Sequence, residues 1–155
     1  MPLLIRRISR AKWERIGNHD VSADAITSCL KTYQNDLSVW RISSKDELND
    51  AILALITGSK QTKLSTLHYV IIDEDLVFDN GLSLKKTDGD TVASNLVKNH
   101  RDIEQLTYSK LGVVKDLVLK CINSDNASFM TKKNLKDLLR KAINNGKVKK
   151  RRFKF

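Results

Sequence analysis

The sequence predicts an α+β fold: a small sheet made of a βαβ unit and a hairpin, then a helical carboxy-terminal half ending in a basic strand or tail. Three observations predict it. Leu67–Asp73 (LHYVIID) is a continuous apolar, β-branched run of strand length, the mark of a strand covered on both faces. Residues 44–58 place Leu48, Ile52, Leu55 and Ile56 on one helical stripe behind a Ser44/Glu47 capping box, with Gly58 as the stop. Near the carboxy terminus Leu135, Leu138, Leu139, Ala142 and Ile143 recur at the spacing of a helix face.

Taken in order, Ile5, Ile8 and Ile16 form the inner face of a first helix or strand. Trp13, among Arg6, Arg7, Arg10, Lys12 and Arg15, suits an interface, where Trp and Arg are favoured. Ser22 caps a short helix through Ala25, Ile26, Cys29 and Leu30 that ends near Tyr33, and residues 34–36 turn the chain. Leu37–Ile42 (LSVWRI) alternates as a strand does. Strand, helix and strand in succession suggest a βαβ unit with its two strands parallel. Residues 76–84 carry Asn80-Gly81 between apolar pairs, a hairpin signal, and 87–91 (TDGDT) is a loop. Helices are expected over 91–99, over 102–122 with a break or kink at Gly112, and over 131–146 between Thr131 and Gly146.

A chain of 155 residues, 41% hydrophobic and 30% charged, with one proline and six glycines, is a single globular domain rather than a linker. No apolar run approaches the roughly 18 residues that span a bilayer. The opening run MPLLIRRIS is too short and too early in charge for a signal peptide, and Glu14 and Asp20 argue against a transit peptide. Cys29 and Cys121 lie far apart in apolar surroundings and read as reduced core thiols. A cytoplasmic protein without a membrane segment is expected.

The net charge of +10 is not spread evenly. Of the 28 basic and 18 acidic residues, eleven and one lie in 131–155, which leaves a neutral body, 1–130, with 17 of each. The basic helix and tail pack on or extend that same domain. Such an asymmetry suits one surface meeting a polyanion. Lys133, Lys136 and Arg140 project from the far side of the last helix. The final stretch GKVKKRRFKF adds Lys147, Lys149, Lys150, Arg151, Arg152 and Lys154, with Phe153 and Phe155 interleaved. Lysines and arginines there would neutralise phosphates, and Phe153 would stack on an unpaired base. Helix, glycine turn and basic aromatic strand together resemble the recognition helix and wing of a winged helix-turn-helix, which implies a nucleic-acid contact. A solvated helix face, a solubilising tail or a nuclear address are the plainer readings.

Signals for catalysis are weaker. Asp73, Glu74 and Asp75 end the predicted buried strand, and paired carboxylates there would hold Mg²⁺ for phosphodiester cleavage. The acid-x-lysine arrangement that usually goes with it is missing, and acids beside a turn more often shape it. His100-Arg101-Asp102 spells a kinase triplet without its companions and reads as a helix start capped by Asp102. Gly58-Ser59-Lys60 lacks the leading glycine of a phosphate loop, and His19, His68 and His100 have no zinc spacing. No metal or cofactor is therefore expected. The leading expectation is a non-enzymatic nucleic-acid-binding protein, for DNA or RNA alike. The alternatives are an accessory subunit whose basic end docks an acidic protein partner, and a Mg²⁺-dependent nuclease. Nothing in the sequence sets the oligomeric state.

Overall fold

The computed structural model describes residues 1–14, 20–59 and 63–149. Its centre is a six-stranded sheet, α+β as expected and antiparallel throughout. β1 (Leu3–Ile8), β2 (Leu37–Ile42), β3 (Leu67–Asp73), β4 (Ser83–Lys86), β5 (His100–Glu104) and β6 (Ala127–Met130) run in the order β4-β5-β2-β1-β3-β6. The helices are α1 (Arg10–Trp13), α2 (Ala23–Cys29), α3 (Leu48–Ile56), α4 (Glu74–Asp79), α5 (Tyr108–Asn123) and α6 (Lys132–Asn144), with 3₁₀ turns at Lys45–Glu47 and Ser94–Asn99.

β1 decides the topology. It pairs antiparallel with β2 on one side and with β3 on the other, so β2 and β3 run parallel to each other without touching. The expected βαβ unit is thus split by an inserted strand. Arg6 and Arg7 interrupt the apolar run of β1, which is why its sequence does not separate strand from helix.

Side chains alternate across the sheet and each face has its own core. Leu4 and Ile8 of β1, Leu37 and Val39 of β2, and Val70 and Ile72 of β3 meet α2 and the Val114, Leu117, Val118 and Cys121 face of α5. On the opposite face Ile5, Trp40, Ile42, Tyr69 and Ile71 meet α3, with Leu135, Leu139 and Ala142 of α6 in the same cluster. Covering both faces makes three layers, and β3 is apolar along its length for that reason rather than because its neighbours are parallel. Leu135 and Leu139 are 0% exposed. At about 1.5–3 kcal/mol for each buried side chain, they hold α6 firmly in the fold.

Several segments depart from expectation for local reasons. Residues 76–79 are helical, not the first arm of a hairpin. The Asp73 carboxylate accepts the Asp75 N–H at 3.1 Å, and Glu74 and Asp75 fill an acidic first turn, so α4 is capped from its start. Asn80-Gly81 then ends that helix: Gly81 has φ +75°, and Leu82 N–H returns to Val77 O at 3.0 Å. The dipeptide that favours a hairpin turn serves equally as a helix stop. His100-Arg101-Asp102 lies in β5, paired with both β2 and β4, and the helix begins only after Thr107, whose hydroxyl accepts the Lys110 N–H at 3.3 Å. Residues 94–99 form a 3₁₀ turn, and α5 runs through Gly112 as one continuous helix. Trp13 is 2% exposed and belongs to the core, not to an interface.

Candidate nucleic-acid interface

α6 presents the sharpest division of charge among the described residues. The Thr131 hydroxyl accepts the Asn134 N–H at 3.3 Å and opens the helix. Gly146, at φ +73°, closes it, with Lys147 N–H bonded to Ala142 O at 2.9 Å. Val148, 4% exposed, tucks back into the core, so the chain is anchored on both sides of the turn. Between these anchors Lys132, Lys133, Arg140 and Lys141 are exposed and Lys136 is half-buried, with Lys147 and Lys149 exposed beyond. Asp137, the one acid in the helix, sits 3.7 Å from Arg140 in an exposed pair of the kind that contributes little to stability.

Lys150, Arg151, Arg152, Phe153 and Lys154 lie outside the described residues. Val148 belongs to no strand, and β6 stands between α5 and α6, so these two helices are not joined by the short turn of a helix-turn-helix.

The amino-terminal basic group divides by role. Arg6 is a structural side chain. β1 pairs with β2 only from Leu3 to Ile5, and beyond that the strands part. The Arg6 guanidinium fills the gap, donating from Nε and Nη2 to Cys29 O at 3.1 and 2.7 Å and from Nη1 to Ser38 O at 2.7 Å. Burial pushes its pKa down to about 10. Arg7 and Arg10 line an open cleft with Ser65, Thr66 and His68. Ile8 pairs with His68 and Leu67 with Met130, the residue before the α6 cap. The cleft and the start of α6 therefore share one end of the sheet. At that end Phe129, 57% exposed on edge strand β6, lies against His68 with ring centroids 5.6 Å apart. Ser65, Thr66, His68 and Phe129 carry no signal of this neighbourhood in the sequence, because only strand pairing brings them to the end where Arg10 lies.

The acid cluster lies at the other end of β3, where Asp73 pairs with Leu3. Seven residues of strand put about 20 Å between Asp73 and the basic end. Asp73 caps α4, and Glu74 receives Arg41 Nε at 2.6 Å, a bond that raises the pKa of Arg41. Among the described residues no three His, Cys, Asp or Glu converge as metal ligands. The rule that ligands gather at strand carboxy termini applies to open parallel sheets, so it gives Asp73 no privilege in this antiparallel one.

The remaining candidates hold the fold together. His100 has Ser38 Oγ on Nε2 and Thr87 Oγ1 on Nδ1, the latter at 2.7 Å, and stands edge-on to Trp40 with centroids 5.0 Å apart. Cys29 Sγ accepts the Ser9 N–H at 3.1 Å. Burial pushes the Cys121 thiol up to about 11, and it donates to Ile71 O at 3.2 Å, a weak nucleophile by both measures. Ser59 is tied by its N–H and hydroxyl to Asp90, so 58–59 is a clasp between loops. Arg15, Ile16, His19 and Lys60 lie outside the described residues. Among the described residues no helix is long and apolar enough to cross a membrane. Comparison of the chain with protein-family models, with curated proteins and with solved structures finds no match.

Proposed function

We propose that this protein binds nucleic acid without cleaving it, capturing the phosphate backbone with Lys133, Lys136 and Arg140 of α6 and with the 147–154 run. The observation that carries this reading is the construction of α6. Its apolar side is locked into the core, both its ends are anchored, and its outward side is basic with one acid. Cations held on a rigid helix lose little side-chain freedom beyond their own rotamers when they meet phosphates, and released counterions drive the association. Such contacts position a strand without reading its bases, so DNA and RNA are both ligands on this account. The proposed setting is the cytoplasm.

Fluorescence anisotropy with labelled single- and double-stranded DNA and RNA tests the reading, using the full chain and Lys133→Glu/Lys136→Glu/Arg140→Glu. These side chains lie outside the core, so the variant is expected to keep the native circular dichroism spectrum. Its affinity is expected to fall at least about tenfold. Absence of binding to all four ligands at physiological salt overturns the proposal and turns attention to an acidic protein partner for the same face.

A further inference from the structure

The cleft at the end of β1 has a composition that nucleic-acid capture by α6 does not require. It has a volume of about 370 Å³ and is walled by Arg7, Ser9 and Arg10 on one side and Ser65, Thr66 and His68 on the other. A second cleft of about 300 Å³ adjoins it, shares Arg7 and Ser9, and extends to Arg6, Ser28 and Cys29. Among the described residues no Asp or Glu lines either one.

Local structure explains why these groups face a cavity. The parting of β1 from β2 after Ile5 opens the sheet, and Arg6 is fully engaged in bridging that opening. The corner that follows is fixed by Ser9 N–H on Cys29 Sγ and by Lys12 Nζ on Ser28 Oγ at 2.7 Å. Ser9 and Arg10 are therefore held opposite Ser65 and Thr66 by the framework, not by each other. Burial lowers the Arg7 pKa, the sign of a guanidinium short of solvent. Arg10 Nε holds Glu14 at 2.5 Å, an exposed pair of the kind worth no more than about 1 kcal/mol.

We propose that this cleft is a phosphate-binding site, in which Arg7 and Arg10 supply charge and the hydroxyls of Ser9, Ser65 and Thr66 donate hydrogen bonds to a phosphate group. Guanidinium groups match the geometry of phosphate oxygens, and hydroxyl donors complete the tetrahedron. No carboxylate is among the described lining residues, and a phosphate would take Arg10 in exchange for its exposed pair with Glu14. The phosphate belongs either to a nucleic-acid backbone, since α6 starts from the same end of the sheet, or to a small phosphate compound. The site stands on its own geometry and does not depend on binding by α6.

Two-dimensional ¹H–¹⁵N NMR of the full chain, titrated with sodium pyrophosphate and separately with a short 5′-phosphorylated oligothymidine, tests it. Saturable shifts of the Ser9, Arg10, Ser65 and Thr66 amides are expected, at least about tenfold weaker in affinity in Ser65→Ala/Thr66→Ala, which alters exposed hydroxyls and keeps the fold. Shifts with the oligonucleotide alone assign the site to a backbone phosphate. Saturable shifts with pyrophosphate alone, and no oligonucleotide binding anywhere, assign it to a small phosphate compound and dispose of the nucleic-acid function. Oligonucleotide shifts confined to α6, with no saturable pyrophosphate shifts at the cleft, overturn the cleft and leave that function standing. Shifts that never saturate, or that are unchanged in the double alanine variant, also overturn the cleft.

Discussion

Gly89 lies against the indole of Trp40 so closely that a Cβ at that position would fall 2.2 Å from Trp40 Cη2 and 2.8 Å from His100 Cβ. The loop 87–91 is thus pressed onto the sheet, with Gly89 N–H bonded to Val97 O at 3.0 Å. Gly89→Ala is expected to cost about 3 kcal/mol, the upper range for overpacking, because the ring it meets is itself 5% exposed and hemmed in. Urea denaturation of the variant checks this, and an unchanged midpoint would contradict the contact.

His100, beneath that loop, gives the fold a pH dependence. Burial lowers its pKa below the ordinary 6.5, with Asp102 opposing the shift. The unfolded chain therefore binds a proton more readily than the native one, and stability rises with pH across that interval. The contribution is complete above pH 6.5 and is lost as pH falls toward the lower native value. Urea midpoints measured at pH 8 and pH 5 should differ for the wild type, and His100→Gln should narrow the difference.

Gly112 has open space around it, with nothing within 4 Å of where a Cβ would sit, and it lies inside a continuous helix. Gly112→Ala should stabilise the protein by about 0.5–1 kcal/mol through the unfolded chain's lost freedom. A rise of roughly 1–4 °C in the thermal midpoint is the expected reading for a chain of this size.

Arg6 and Arg10 separate a structural arginine from a surface one. Arg6→Met leaves Cys29 O and Ser38 O without their donors and is expected to cost about 3 kcal/mol. Arg10→Ala removes an exposed pair with Glu14 and is expected to cost under about 1 kcal/mol. Parallel denaturation curves decide whether this order holds.

What the sequence made legible follows from burial. Leu67–Asp73, Leu37–Ile42 and the stripe of α6 are strongly apolar where the core demands it, and each appears with the expected type. β1, β5 and β6 were harder. Arg6 and Arg7 sit inside β1, the polar triplet His100-Arg101-Asp102 opens β5, and the edge strand β6 buries little, so none carries a full apolar signature. The same logic divides the candidate site. The charge of α6 is local in sequence and could be read there. The cleft joins Ser9 and Arg10 to Ser65 and Thr66 only through the pairing of β1 with β3.

The salt dependence of nucleic-acid binding tests the central claim most directly. For the full chain, log K against log salt concentration is expected to fall linearly with a slope reporting several phosphate contacts. Lys133→Glu/Lys136→Glu/Arg140→Glu should make that slope shallower by about 2–3, at about 0.7 per contact for single strands and about 0.9 for duplex DNA. A slope unchanged by the three substitutions, or no binding at any salt concentration, would contradict the assignment of α6 as the phosphate-contacting face.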